Sequence, residues 1–257
     1  MRSPERSPHA RAWLAASVYA HRGLHRRGGP PENSRAAFAA AMARGYGIEL
    51  DVRASADGDA VVFHDPTLKR MTGRRGRVAA MTAAELGAVP LANSAETIPT
   101  LAQVLALIAR RVPILIELKR AGSGFALEQA VARALARYRG PAAVMSFDPA
   151  AIAWFAENAP AAWRGLVTEA WPPALITKAS PPARGGAIPP VRDRRGRRTA
   201  PVAGAPHFFA CAVEAIGRRA RAAGFLYPLL AWTVRSARER DRAKRVGAAI
   251  IFERLTP

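Results

Sequence analysis

A chain of 257 residues, 50% hydrophobic and 23% charged, holds enough apolar material for a sizeable core, and its formal net charge is +20. This composition reads as soluble and globular rather than disordered, and no apolar run approaches the roughly 18 to 20 residues needed to cross a bilayer. The single cysteine, Cys211, excludes an intramolecular disulfide and, lying in the apolar run His207 to Val213, reads as a small buried hydrophobe rather than a nucleophile.

At the N-terminus, Arg2, Arg6 and Arg11 precede a short stretch, Ala12 to Ala20, that leads into structured sequence without a cleavage site. A cytoplasmic, unprocessed chain without stable membrane insertion is expected, with His9 in a disordered tail. Val18 to Gly23 reads as a first strand ending in His21, Arg22 and a glycine turn. Pro31-Glu32-Asn33-Ser34 supplies capping side chains for a helix over Ala36 to Arg44, stopped by Gly45. The second strand, Ile48-Glu49-Leu50-Asp51-Val52, places both carboxylates on one face, because alternate strand residues share a side. Like charges so close are costly unless a cation lies between them, which makes this pair a candidate metal site.

Beyond it comes an excursion. Asp57-Gly58 makes a tight turn, Val61-Val62-Phe63 a short strand and His64-Asp65-Pro66 its exit; a polar loop over Thr72 to Arg77 and a capped short helix over Met81 to Leu86 follow. Pro99 to Arg111 is an amphipathic helix with Leu101, Val104, Leu105 and Ile108 on one stripe. The third strand, Ile114 to Lys119, again ends with charges two apart, Glu117 and Lys119. Helices are expected at Ala126 to Tyr138, Pro149 to Asn158, Val213 to Ala223 and Ala237 to Val246. Strands are expected at Ala142 to Phe147, Arg164 to Glu169, His207 to Val213, Leu229 to Val234 and Ala248 to Phe252. The Pro/Gly/Arg-rich segment from about Ser180 to Pro206 reads as a loop, since nothing on either side could stand alone.

Without the excursion, eight strands are mostly followed by helices, which is the tally of an α/β protein of the (β/α)₈ TIM-barrel type. A single barrel domain over residues 1–257 is expected, with a small insertion at about 54–98 after strand 2. Such barrels carry their sites at the carboxyl ends of the strands, where His21, Arg22, Glu49, Asp51, Glu117, Lys119, Ser146 and Trp232 fall. Glu49, Asp51 and Glu117 form an oxygen-only set suited to a hard divalent cation, Mg²⁺ or Ca²⁺, rather than zinc. Arg22 and Lys119 complement an anion such as a phosphate, and His21 and His64 suit acid and base work near neutral pH.

Together, Ala20-His21-Arg22-Gly23, Pro31-Glu32-Asn33-Ser34, Ile48 to Val52, Val61 to Pro66 with Thr72-Gly73, Ile98 to Leu101 and Ile116 to Lys119 resemble the glycerophosphodiester phosphodiesterase family over the first half of the chain. The resemblance implies a barrel whose second strand is followed by an insertion carrying a histidine. It implies a divalent cation held by Glu49, Asp51 and Glu117, His21 and His64 as general acid and base, and phosphate contacts from Arg22 and Lys119. Leu230 to Val234 is similar to the family's late strand whose tryptophan, here Trp232, lines the pocket. The implied activity is hydrolysis of a small-molecule glycerophosphodiester to glycerol 3-phosphate and an alcohol. The final strand departs from the family in ending Phe252-Glu253 instead of a Thr-Asp pair.

Alternatives remain at this point. A phosphodiesterase of lysophospholipids or other membrane phosphodiesters would show exposed apolar loops, with Trp163, Trp171 and Pro172 as candidates. A nucleic-acid binder would use the cluster Arg192 to Arg198, although that cluster lacks interleaved aromatics, so a solvated loop and no nucleic-acid partner are expected. The residues leave the choice of metal, the alcohol and the oligomeric state open.

Overall fold

Capping residues and apolar alternation divide the chain close to where the sequence marks them. The computed structural model describes residues 8–92, 94–169, 206–217 and 227–257. It begins with helix α1 (Pro8–Ala16), so His9 lies in a helix and not in a disordered tail. Proline is pre-organised for a first helical position, and the fully buried Leu14 anchors the helix. Packing divides the chain into two units, Tyr19–Ala142 and the remainder.

The Tyr19–Ala142 unit contains β1 (Tyr19–Ala20), α2 (Arg35–Met42), β2 (Gly47–Ala54), β3 (Ala60–Val62), α3 (Lys69–Thr72), α4 (Ala83–Gly87), α5 (Leu101–Ile108), β4 (Ile114–Leu118) and α6 (Ala126–Arg137). β1 is shorter than the expected Val18 to Gly23, because Arg22 (φ 55°) and Gly23 (φ 78°) turn the backbone out of the strand. Close packing accompanies this turn: a Cβ on Gly23 would lie 2.9 Å from Ala37 and from the Phe38 ring. β2 pairs in parallel with β1 and β4, setting Asp51 opposite Glu117, while β3 pairs with β2 in antiparallel.

Ser34 caps α2 by accepting from the Ala37 N–H, and Thr82–Glu85 and Thr100–Gln103 close capping boxes on α4 and α5. α5 stops at Ile108, short of the expected Arg111, because Ala109 (φ 47°) and Arg110 (φ 68°) are left-handed. The insertion after β2 carries a core of its own, built from Val61, Phe63, Leu68, Val78, Leu86, Val89, Leu91 and Ile98. This core fixes the segment that carries His64.

The other unit holds α1, β5 (Ala142–Ser146), α7 (Pro149–Asn158), β6 (Trp163–Thr168), β7 (Phe208–Ala212), β8 (Leu229–Val234), α8 (Ala237–Arg245) and β9 (Ala249–Phe252). Asp148 caps α7 ahead of Pro149, and Ser236 caps α8. After β7 the described residues form a single 3₁₀ turn, Val213–Ala215, where a helix to Ala223 was expected; residues 218–226 lie outside the described set. The Ser180 to Pro206 loop, apart from Pro206 itself, also lies outside the described residues, as do Arg192 to Arg198, Trp171 and Pro172. β9 forms despite its departure from the family pattern and pairs in parallel with β8. Cys211 is fully buried in β7, and burial pushes its thiol up to about 12, as suits a packing residue.

The strand order is β1-β9-β8-β7-β6-β5-β4-β2-β3, with β1 also paired to β2. Set aside the antiparallel β3, and eight strands remain in the closed order of a (β/α)₈ TIM barrel with a small insertion after strand 2.

Gly165 in β6 leaves its side-chain space to the buried Phe208 ring, whose carbons a Cβ would overlap. Gly165→Ala is therefore expected to destabilise the protein by about 1 to 3 kcal/mol, read as a lower midpoint in urea. An unchanged midpoint would show that Phe208 repacks freely.

Candidate active site

Parallel pairing of β2 with β4 brings the predicted carboxylates together. Oxygens of Glu49, Asp51 and Glu117 lie within 4.8 Å of one another, and all three residues are buried. Burial, with Asp51 and Glu117 close by, raises the Glu49 carboxyl well above the ordinary range; burial and Asp51 push Glu117 up to about 7. Asp51 goes the other way. Burial favours its neutral form, but Lys119, Arg22, His64 and His21 hold it at about 2. Glu49 Oε1 is buried with no hydrogen-bond partner among the described residues. A crowded oxygen-only set with an unsatisfied lone pair fits a hard divalent cation.

Two cations frame the carboxylates, both from positions the sequence singled out. Arg22 Nε lies 3.2 Å from Asp51 Oδ2, and the Arg22 backbone N–H donates to Glu49 Oε2 at 3.0 Å. Arg22 adopts a left-handed backbone at this point (φ 55°). Lys119 Nζ lies 3.3 Å from Asp51 Oδ1 and bonds Glu117 Oε1. Although burial works against their charge, Asp51 and its neighbours raise the pKa of both cations.

The histidines differ in their supports. His64 Nδ1 lies 2.7 Å from Asp65 Oδ1. Arg70 holds Asp65 through Nε (2.6 Å) and Nη2 (2.9 Å), and it also grips Glu32 with both terminal nitrogens, at 2.9 and 2.6 Å. Glu32 in turn accepts from Arg22 Nη1 at 2.9 Å. A chain of hydrogen bonds and ion pairs thus runs from His64 through Asp65, Arg70 and Glu32 to Arg22 and Asp51. The hydrogen bonds from Arg70 keep Asp65 at about 2, and burial lowers the pKa of His64. His21 directly precedes Arg22 at the end of β1, close enough for its charge to act on Asp51.

Several of these contacts were not singled out from the sequence. Asn33, grouped there with the helix caps, is left-handed (φ 56°) and buried. Its Nδ2 donates to Asp51 Oδ2 at 2.9 Å, and its Oδ1 accepts from the Asp51 N–H at 3.3 Å. The signal was the residue type, since asparagine tolerates that backbone region better than most. Glu32 and Asp65 were legible only as parts of motifs, and Arg53 and Arg70 lie in none of those motifs. Trp232 lies in β8 of the other unit, edge-on to Phe147 at 5.4 Å, with its Nε1 buried and unpartnered among the described residues. Trp163 opens β6 and packs against Trp13 at 6.5 Å and His207 at 4.9 Å, which is a packing role and not that of a projecting apolar loop. Among the described residues no helix is long and apolar enough to cross a membrane.

A family model described as "Glycerophosphoryl diester phosphodiesterase family" matches residues 21–253. The chain is 38% identical over 109 residues to a glycerophosphodiester phosphodiesterase of Bacillus altitudinis, covering 40% of this chain and 44% of that protein. It is 42% identical over 98 residues to one of Caldanaerobacter subterraneus subsp. tengcongensis, covering 35% and 40%. These matches span about half the length of the curated relatives. An Oleispira antarctica phosphodiesterase solved in complex with the product sn-glycerol-3-phosphate superposes with a TM-score of 0.75 at 23% identity, covering 92% of both chains. A putative glycerophosphodiester phosphodiesterase of Galdieria sulphuraria gives 0.75 at 17% identity, covering 92% and 93%. Both show the fold.

The Arg70 bridge has a signature in pH. Asp65 and Glu32 have folded pKa values below their ordinary 3.8 and 4.5, so their stabilisation is present above that range and is lost as pH falls through the folded values, about 2 for Asp65. The stability gap between the native protein and Arg70→Leu should be widest near neutrality and should close between about pH 4 and 2 in urea titrations. A gap independent of pH would show that Arg70 acts through packing alone.

Proposed function

Because the chain belongs to the glycerophosphoryl diester phosphodiesterase family, whose model spans residues 21–253, we propose that it hydrolyses glycerophosphodiesters to glycerol 3-phosphate and an alcohol. The observation that carries this reading is the buried trio Glu49, Asp51 and Glu117 with Arg22 and Lys119 set against it. The names of the relatives, and the product bound to the Oleispira enzyme, agree with it.

In this reading Glu49, Asp51 and Glu117 hold a Mg²⁺ or Ca²⁺ ion. When bound, such an ion polarises the phosphoryl oxygens and offsets their negative charge. Arg22 and Lys119 contact the phosphate, a role suited to cations already fixed by Asp51. Asn33 holds Asp51 in place from both its backbone and its side chain, and Glu32 keeps the Arg22 fork from rotating.

His21 and His64 carry the protons. An ionised Asp65 can only accept, so the hydrogen of His64 sits on Nδ1 and Nε2 is left to exchange a proton with substrate. The substrate's neighbouring glycerol hydroxyl attacks phosphorus and gains the proximity advantage of an internal nucleophile. One histidine takes the proton of that hydroxyl while the other protonates the departing alcohol. The two exchange duties when water opens the cyclic phosphate. Trp232 is assigned to the substrate pocket by resemblance.

The test is release of glycerol 3-phosphate from glycerophosphocholine and glycerophosphoglycerol with Mg²⁺ or Ca²⁺, with and without chelator. Turnover abolished by chelator is expected; no metal-dependent release from either diester would end the reading. His64→Ala should lower kcat by about 10²- to 10⁴-fold, with Asp65→Asn intermediate and acting on kcat more than on KM. Full activity in His64→Ala would remove the two-histidine scheme.

A further inference from the structure

Within the Tyr19–Ala142 unit, a cavity of ≈120 Å³ lies beside Lys119, lined also by Arg53, Pro66, Arg77, Arg120 and Glu128. Its charge is one-sided. Glu128 is fully buried and already paired with Arg120 Nε at 2.7 Å, and Lys119 is engaged by Asp51 and Glu117. Arg53 and Arg77 have no ion pair with a carboxylate among the described residues.

Arg53 is the informative one. It follows Glu49 and Asp51 on the same face of β2, two residues nearer the strand end. Its Nε donates to the His64 carbonyl at 2.7 Å and its Nη1 to the Lys119 carbonyl at 3.1 Å. These neutral acceptors orient the guanidinium without offsetting its charge. Burial lowers its pKa, against the pull of Asp51, Asp65 and Glu117 nearby. A half-buried guanidinium held only by carbonyls, with the exposed Arg77 across the same cavity, is an arrangement that an incoming anion completes. The cavity shares Lys119 with the carboxylate site, which puts a group bound there beside a substrate phosphate held by that residue.

We propose that this cavity is a subsite for a second phosphate carried on the alcohol arm of the substrate. The protein then favours glycerophosphodiesters whose alcohol is itself phosphorylated and disfavours a cationic alcohol such as choline. The cations attract the first and repel the second, so one device supplies both sides of the discrimination. This inference rests on the phosphodiesterase reading above.

The test compares glycerophosphoglycerol with glycerophosphoglycerol phosphate, which differ only in the terminal phosphate, and with glycerophosphocholine. The phosphorylated diester is expected to have a kcat/KM about tenfold above glycerophosphoglycerol, mostly through KM, with glycerophosphocholine lowest. Arg77→Ala should shrink that ratio and Arg77→Glu should abolish or reverse it. Arg75→Ala, which removes the same charge outside the cavity, should leave it unchanged. Equal kcat/KM for the matched pair, or a ratio indifferent to both Arg77 variants, would overturn the subsite. Calorimetric titration of the same pair against His64→Ala reads the subsite without turnover. If neither diester is cleaved by the native protein, the phosphodiesterase reading fails. Tighter binding of the phosphorylated member, lost in Arg77→Glu, would still support the subsite, and equal binding would end it.

Discussion

Three carboxylates confined within 4.8 Å of one another in a buried setting are the constraint on which the Tyr19–Ala142 unit depends. In a low-dielectric interior their mutual repulsion far exceeds what a surface cluster would feel, and it must be met by positive charge or by protons. The protein supplies part of the answer itself. Asp51, between Arg22 and Lys119, stays ionised, while Glu49 and Glu117 are driven toward their neutral forms. The asymmetry matters: Asp51 has both fixed cations, Glu117 shares Lys119 with it, and Glu49 receives only the Arg22 backbone N–H. An arrangement built for stability alone would pair each of them, or replace them with apolar residues, because buried ions rarely repay their desolvation.

Holding that arrangement requires rigidity in places where loops would ordinarily be loose. Arg22 and Asn33 both sit at positive φ, a strained choice for non-glycine residues, and both aim polar groups at the trio from there. The Asn33 N–H also donates to the Arg22 carbonyl at 2.9 Å, so the two turns brace each other. On the other flank, the insertion's own apolar core fixes the backbone near His64, and Arg70 ties Asp65 to Glu32. An ordinary surface salt bridge contributes little, but this one is bidentate at both ends and joins a network, which is the case in which such pairs do hold geometry.

Much of this was visible in the residues. Alternation along Ile48 to Val52 and Ile114 to Lys119 reports which side chains share a face, and parallel register then forces Asp51 opposite Glu117. Caps at Ser34 and in the Met81 to Leu86 stretch mark helix starts because the chemistry of an N-terminus is local, whereas α5 begins at Leu101 behind a Thr100 cap, inside the expected Pro99 start. Helix ends were read less well. Ala109 and Arg110 adopt left-handed backbone that no glycine announces, so α5 stops before its pattern does. The Asp65–Arg70–Glu32 bridge joins residues 38 positions apart, and no local periodicity encodes such a pairing. Helix α1 was missed for a related reason, since its anchor is tertiary burial of Leu14 rather than any signal in the first residues.

The excess of arginine is the last point at which composition and site must be separated. A net charge of +20 suggests a polyanion partner if every cation is treated alike. They are not alike. Arg22, Arg70 and Arg120 are neutralised by carboxylates at 2.6 to 3.2 Å and act as fasteners for other groups. Arg53 donates to two carbonyls and forms no ion pair with the nearby Asp51, Asp65 and Glu117, so its position is fixed without a carboxylate partner to neutralise it. Geometry of that kind distinguishes a cation that holds the protein together from one that can recognise a ligand, and it does so where net charge cannot.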